Sequence, residues 1–159
     1  MFEIGYATFG CSRVAFKSHH GKYIVAESNG AANANRDQRN DLETFTVEEV
    51  GCGFVALKSF YGKYLVAEDY MTGYEVNANR EQCREWEIFK VLKQPNGTVA
   101  FRTAHGRYLV AEDNGNLRAD RTWIREWETF TPVCVPGKSM RYVYIELIIC
   151  LFIINAIHN

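Results

Sequence analysis

A 14-residue segment occurs three times in this chain of 159 residues. Residues 14–27, VAFKSHHGKYIVAE, return as residues 55–68, VALKSFYGKYLVAE, and again as residues 99–112, VAFRTAHGRYLVAE, with copies 41 and 44 residues apart. An internal period of this length is the signature of a repeat architecture. Three β-rich units are too few for a propeller, which typically has four or more blades, so the repeat predicts a closed arrangement of threefold symmetry.

Each repeat has the residue pattern of four short strands. The first strand alternates apolar and polar residues, and the turn after it contains a glycine that tolerates positive φ. A second strand, a turn rich in Asn and Gly, a short third strand and a polar loop lead to fourth strands centred on Phe45, Phe89 and Phe130. Twelve such strands predict an all-β fold, the β-trefoil, in which a six-stranded barrel is capped by three hairpins and strand edges are removed.

The core of this barrel is predicted from apolar positions that are equivalent in the three repeats. Besides the three phenylalanines, they are Val14, Val55 and Val99; Phe16, Leu57 and Phe101; Ile24, Leu65 and Leu109. Small residues, Ala26, Ala67 and Ala111, stand where the layers are expected to crowd. Trp86 and Trp127 match Leu42 and are expected to plug the barrel beside them.

The repeats give the domain limits. Repeats at residues 14–53, 55–97 and 99–135 place the β-trefoil at residues 14–135, after an N-terminal extension at 1–13 and before a hydrophobic C-terminal tail at 136–159. The apolar run in the tail is shorter than the roughly 20 residues of a membrane span, and it contains Glu146. Three interpretations stay open: a tail anchor that contacts a membrane, an extra strand or helix on the domain, and sequence that is not native coding sequence, such as translated intron.

Charge and cysteine usage exclude some functions. The 18 basic and 19 acidic residues give a net charge of −1, which argues against a nucleic-acid partner. Five cysteines, scattered off the repeat and without a C-x-x-C pair, predict neither a disulfide framework nor a zinc site. Because the first residues lack a leader pattern, we expect a reducing, cytoplasmic location. Asn96-Gly97-Thr98 matches a glycosylation sequon, and without a secretory context we interpret it as an Asn-Gly turn.

Three segments of the second repeat match the pattern of a known family: Gly62-Lys63-Tyr64-Leu65-Val66-Ala67-Glu68, Asn77-Ala78-Asn79 and Trp86-Glu87-Ile88-Phe89. In these segments the repeat resembles the fascin family of actin-crosslinking proteins. Phe16-Lys17-Ser18-His19-His20-Gly21 is in addition similar to hisactophilin, a single-trefoil relative. The resemblance covers residues 14–135. It implies a β-trefoil that binds filamentous actin, as an adaptor or crosslinker associated with the cytoskeleton. We expect no cofactor.

The loops between the third and fourth strands carry arginine in every repeat. Arginine in loops on a rigid scaffold can pair with an acidic surface such as that of an actin filament. Trp123 stands where the other repeats have glutamine and, if exposed, is the best single contact residue. The predicted actin-binding residues are Arg36, Arg39, Arg80, Arg84, Arg121, Trp123 and Arg125. The alternative is that each arginine pairs with a nearby acidic residue and that Trp123 covers the barrel mouth.

The first turns of the repeats supply further candidates. If these turns share one face, a second basic ring consists of Lys17, Lys22, Lys58, Lys63, Arg102 and Arg107. The alternative is the ordinary polar face of half-buried strands. His20 and His105 occupy equivalent positions, but Tyr61 takes the third, which argues against a metal site. The recurring Glu27, Glu68 and Glu112 are expected to accept backbone N–H bonds from the following turn, and with no recognisable catalytic constellation we expect no enzyme.

Two other functional classes stay open. A sugar-binding β-trefoil would use Asn29, Tyr70 and Asn114 in the hairpin turns, although the Gln-x-Trp triplet of ricin-type lectins is absent. A protein-interaction trefoil is the third class, because the same fold serves many unrelated partners.

Overall fold

A computed structural model describes residues 8–136 and 155–156. In its first repeat, strands β1–β4 span Arg13–Ser18, Tyr23–Ala26, Ala32–Arg36 and Phe45–Gly51. Strands β5–β8 of the second repeat span Phe54–Lys58, Tyr64–Ala67, Val76–Arg80 and Ile88–Lys93. Strands β9–β12 of the third span Val99–Arg102, Tyr108–Ala111, Leu117–Arg121 and Phe130–Cys134. Single-turn 3-10 helices η1–η4 span Asp41–Glu43, Tyr70–Thr72, Glu85–Glu87 and Glu126–Glu128.

The first and fourth strands of the three repeats form the barrel. Strands β1, β4, β5, β8, β9 and β12 pair antiparallel in that order, and β12 pairs again with β1, so the ring is closed. The second and third strands form the hairpins β2–β3, β6–β7 and β10–β11. This arrangement of a six-stranded barrel and three hairpins is the predicted β-trefoil.

The predicted core is confirmed. All twelve large apolar positions expected to be equivalent in the repeats are buried, as are the three alanines at the ends of the second strands. The ring of Phe101 packs against those of Phe16, Phe89 and Phe130, and its centre lies 5.1 Å from that of Phe16. Phe45 joins this cluster by packing against Phe16. The prediction that Trp86 and Trp127 plug the barrel was wrong. Both are only half-buried and pack on histidines of a neighbouring repeat, since the core positions beside them are already filled by phenylalanines.

The hairpins interlock about the threefold axis. In each repeat the backbone amide of the third strand donates a hydrogen bond to a turn carbonyl of another repeat: Ala34 to Gly115 at 2.8 Å, Ala78 to Gly30 at 2.8 Å and Ala119 to Tyr74 at 3.0 Å. Gly115 has a φ of +90°, and a Cβ atom there would lie 2.7 Å from the Cβ of Asn35. The turn therefore needs glycine both for its backbone conformation and for the close approach of the neighbouring hairpin.

A disulfide bond joins Cys11, just before β1, to Cys134 at the end of β12. The expectation that the cysteines form no such bond was wrong. The pair lies at the two ends of the repeat array, 123 residues apart in sequence, so the repeat pattern does not mark it. Its cysteines meet because β1 and β12 are neighbours in the closed barrel, with Val14 opposite Cys134. Phe9 adds to this closure by packing edge-on against Phe16 at 5.3 Å.

The expectations for the hydrophobic tail concern residues 136–159, of which all but 136 and 155–156 lie outside the described part of the chain. The same holds for residues 1–7 of the N-terminal extension. Within the described ranges, no helix has the length and apolar character needed to cross a membrane.

Candidate binding site

Three of the seven predicted actin-binding residues form an ion pair inside their own repeat. Arg36, Arg80 and Arg121 bind the carboxylates of Glu27, Glu68 and Glu112 at N–O distances of 2.6, 2.5 and 2.8 Å. Each pair connects the end of a third strand to the end of the second strand. These glutamates were expected to accept backbone N–H bonds. In the described residues they accept guanidinium groups instead. The strand register places each arginine opposite the tyrosine that begins the second strand, and its long side chain reaches the glutamate that follows the end of that strand.

Beneath each ion pair lies a carboxyl group that the sequence analysis did not single out. Glu43, Glu87 and Glu128 end η1, η3 and η4 and are only 3–5% exposed. Burial raises the pKa of all three side chains, and the nearby arginine of the ion pair opposes this rise. The sequence did carry a signal for them, since glutamate recurs two residues before the core phenylalanine in every repeat.

The remaining loop candidates are exposed. Arg39 donates to the Cys134 carbonyl at 3.4 Å, and Arg84 to the Gln82 side chain at 2.8 Å. Trp123 is 58% exposed, and the guanidinium carbon of Arg125 lies 5.0 Å from the centre of its ring. The structure thus places Trp123 on the surface, in contact with an arginine of its own loop, and does not place it over the barrel mouth.

Most members of the second basic ring interact with local partners. Lys22 pairs with Asp37, and Lys63 pairs with Glu81 at 2.5 Å. Lys17, Lys58 and Arg107 lie over the rings of Tyr23, Tyr64 and Tyr74 at 5.7, 5.5 and 5.0 Å. Arg102 differs from the other five because its exposed side chain has no hydrogen bond, no ion pair and no aromatic ring beneath it within residues 8–136.

The two turn histidines connect repeats. Nε2 of His20 lies 3.1 Å from the Ala111 carbonyl oxygen, and the imidazole packs edge-on against Trp127 at 4.7 Å. His105 makes the equivalent contacts with the Ala67 carbonyl and Trp86. Since a carbonyl oxygen only accepts, both rings carry a proton on Nε2. Their role in the described structure is a structural link.

Arg102 borders an open groove of about 610 Å³ on the outside of the barrel, where the second and third repeats meet. Two aromatic rings contribute to its wall: Phe54, which is 40% exposed, and Tyr108, which is half-buried. Lys90 lies over the Phe54 ring at 4.8 Å and donates to the Cys52 carbonyl. The side chain of Glu85 is exposed at the rim and, within the described residues, has no hydrogen-bond or ion-pair partner.

A difference between the second and third repeats leaves the hydroxyl of Tyr108 free at this groove. In the second repeat the hydroxyl of Tyr64 donates to the carboxylate of Glu48 at 2.7–2.8 Å, which raises the pKa of Tyr64 to about 12 and leaves its side chain buried. Glu48 lies opposite Ala56, and at the equivalent position of the next repeat Leu92 lies opposite Ala100. Leucine cannot accept a hydrogen bond, so the hydroxyl of Tyr108 has no partner of this kind and stays available at the groove.

The sugar contacts considered from the sequence lie elsewhere, in the hairpin turns. The side-chain oxygens of Asn29 and Asn114 accept the backbone N–H groups of Ala31 and Asn116, each at 3.0 Å, and thereby stabilise their turns. Tyr70 is 69% exposed. These turns belong to three separate hairpins, and the groove beside Tyr108 is formed by other residues.

Residues 8–136 contain no cluster of three or more potential metal ligands. Comparison with known proteins gives a match over residues 9–134 to the family described as a domain of unknown function, DUF7910. No curated protein matches the chain. The matched region begins two residues before Cys11 and ends at Cys134, so it coincides with the disulfide-closed barrel. The chain belongs to the DUF7910 domain family.

Proposed function

We propose that this protein is a non-catalytic binding module that holds a carbohydrate in the groove beside Tyr108. The observation that carries the proposal is the combination of two accessible aromatic rings, Phe54 and Tyr108, with the unpartnered polar groups of Arg102 and Glu85. The volume of about 610 Å³ is within the range of small-ligand sites.

The chemistry of a sugar matches these groups. A sugar ring has an apolar C–H face that packs on an aromatic ring, and its hydroxyls both donate and accept hydrogen bonds. The guanidinium of Arg102 supplies a planar set of donors, the carboxylate of Glu85 accepts, and the hydroxyl of Tyr108 does either. The groove contains no arrangement of nucleophile and base, which supports binding without catalysis.

The disulfide supports a location in which extracellular or luminal carbohydrate is available. Disulfides persist in oxidising compartments and are rare in the cytosol. A bond between Cys11 and Cys134 therefore favours a secreted or luminal chain over the cytoplasmic location expected from the sequence.

Binding to an array of glycans and polysaccharides tests the proposal, and the equivalent residue of another repeat supplies a matched control variant. Lys58 is the counterpart of Arg102 in the second repeat, where Glu48 occupies the position of Leu92. We expect wild type and Lys58→Gln to bind the same sugar, and Arg102→Gln to bind it about tenfold more weakly or worse, because a charged hydrogen bond is lost. A chain that binds nothing on the array, or Arg102→Gln binding as well as wild type, would exclude this site.

Actin binding is the second candidate function, and it would imply a cytoplasmic, cytoskeleton-associated location. It is supported by the fascin-like motifs and by the exposure of Arg39, Arg84, Trp123 and Arg125. Co-sedimentation of the full chain with filamentous actin, with the disulfide oxidised and reduced, tests it. Salt-sensitive pelleting that is lost when the three arginines are changed to glutamine would favour actin over carbohydrate. The absence of pelleting at low salt in both redox states would remove this candidate.

A further inference from the structure

The tip of the β8–β9 hairpin contains the sequence Asn96-Gly97-Thr98, the single N-x-S/T sequence of the chain. The tip is a tight turn in which Gln94 and Thr98 close the hairpin with a backbone hydrogen bond of 2.9 Å, and Gly97 has a φ of +84°. Asn96 and Gly97 are exposed. A Cβ atom at Gly97 would have no neighbour within 4 Å, so the tip is also sterically open.

The side-chain amide of Asn96 is held by hydrogen bonds from Thr98. Oδ1 of Asn96 accepts a hydrogen bond from the Thr98 hydroxyl at 2.6 Å and another from the Thr98 backbone N–H at 3.2 Å. Both bonds use the amide oxygen. The amide nitrogen, Nδ2, makes no hydrogen bond within the described residues and is carried on an exposed side chain.

A second, independent feature indicates the cellular compartment in which this hairpin tip is exposed. The Cys11–Cys134 disulfide is characteristic of a chain that folds in an oxidising compartment, such as the lumen of the secretory pathway. This is the compartment in which asparagine in N-x-S/T is glycosylated. The interpretation of residues 96–98 as only an Asn-Gly turn depended on the absence of that context.

From the exposed amide, the threonine hydroxyl and the disulfide together, we propose that Asn96 is the attachment site of an N-linked glycan. In this reaction an oligosaccharide is transferred from a lipid diphosphate carrier. A bond forms between Nδ2 and the anomeric carbon, the bond from that carbon to the diphosphate oxygen breaks, the lipid diphosphate leaves, and Nδ2 loses one proton. The transfer needs neither an oxidant nor a reductant.

The glycan would lie next to the loop of the third repeat. Asn96 and Thr98 share a shallow depression with Ile124, Arg125 and Glu126. A chain attached to Nδ2 therefore shields the Arg125 loop from a large partner such as a filament. The proposal does not depend on a sugar ligand in the groove beside Tyr108, because the two sites use different residues and different chemistry.

The test compares four forms of the full chain made in a eukaryotic secretory host: wild type, Asn96→Asp, Thr98→Ala and Thr98→Ser. Asn96→Asp retains the oxygen that accepts from Thr98 and removes the amide nitrogen, so the turn is preserved. We expect one glycan, released by peptide N-glycosidase, on wild type and Thr98→Ser, and no glycan on the other two. Tryptic cleavage after Lys93 and Arg102 isolates the sequon in a single peptide. Enzymatic release of the glycan converts Asn96 of the wild-type peptide to aspartate, and mass spectrometry detects that conversion.

A folded, disulfide-bonded wild-type chain whose Asn96 peptide is unmodified would overturn the proposal. So would a glycan that survives in Asn96→Asp. Circular dichroism and a thiol count establish that each variant is folded and oxidised, so a loss of modification cannot be attributed to misfolding. Because glycan mass is measured without any ligand, the result is separate from that of the carbohydrate array.

Discussion

Nε2 of His105 donates a hydrogen bond to the carbonyl oxygen of Ala67 at 3.1 Å, and the same ring packs against Trp86. The contact joins the first turn of the third repeat to the end of the second strand of the second repeat. It shows how a β-trefoil built from three similar units is stabilised between units as well as within the barrel.

Replacing this histidine tests the link. We expect His105→Ala to lower the free energy of unfolding by about 1–3 kcal/mol, because it leaves the Ala67 carbonyl without a partner and removes the contact with Trp86. Tyr61→Ala is the matched control, since Tyr61 is the equivalent residue of the second repeat and is 39% exposed. Urea denaturation measures both. Equal effects of the two substitutions would contradict a linking role for His105.

The approach of neighbouring hairpins gives a second prediction. Gly115→Ala places a Cβ atom 2.7 Å from that of Asn35 at a φ of +90°, so we expect a loss of about 2–4 kcal/mol from strain and overpacking. Gly97→Ala has a similar φ of +84° but no neighbour within 4 Å, and only the backbone strain of about 1 kcal/mol remains. The difference between their melting temperatures isolates the steric contact. If the two variants have the same melting temperature, the neighbouring hairpins do not approach each other as closely as described.

The disulfide makes a third prediction. In the chain-entropy description, closing a loop of 123 residues stabilises the folded state by roughly 4–5 kcal/mol. We expect Cys11→Ser, or treatment with a reductant, to lower stability by an amount approaching this, while Cys83→Ser, at an exposed free thiol, has little effect. Guanidinium denaturation with and without reductant measures the change. An unchanged midpoint on reduction would show that the bond does not stabilise the domain.

The buried carboxyl of Glu87 predicts a dependence of stability on pH. Its pKa in the folded chain is raised above the ordinary value of 4.5, chiefly by burial, so the folded state holds the proton more tightly than the unfolded state. The stability gained from this tighter proton binding is fully present below pH 4.5 and is lost as the pH rises through the pKa of Glu87 in the folded chain. Glu87→Gln cannot titrate, so its stability relative to wild type should increase across that window.

Glu85→Gln removes one negative charge from an exposed side chain of the same 3-10 helix and is the control for the change in charge. Thermal melts from pH 3 upward, in buffers of constant ionic strength, give the comparison. A Glu87→Gln variant that runs parallel to wild type over the whole range would mean that Glu87 has the same pKa folded and unfolded.

Much of the fold could be predicted from the sequence because the repeat makes equivalent positions visible. Phe45, Phe89 and Phe130 were recognisable as one core layer from their equivalent places in the fourth strands, and all three are fully buried. The repeated pattern of strands and turns predicted twelve strands and a closed barrel. Features with threefold periodicity were therefore accessible without a structure.

Features that break the periodicity, or that depend on distance in space, were not accessible in this way. Cys11 and Cys134 lie outside the repeated segment, and only closure of the barrel brings them together. Glu48 and Leu92 are equivalent by strand register, but their different effect on Tyr64 and Tyr108 follows only when the neighbouring strand is in place. The loop arginines were recognised as a set. Their division into ion-paired and exposed members depends on which of them ends a third strand.

The disulfide has a mechanical consequence for any polypeptide attached to this domain. Cys11 and Cys134 are the points at which the chain enters and leaves the closed barrel. A pulling force applied to the segments outside them passes from one sulfur to the other and does not load the hydrogen bonds between β1 and β12. While the bond is oxidised, the residues between the two cysteines add no length to a stretched chain, and the domain acts as a fixed bead whose extensibility is controlled by thiol chemistry.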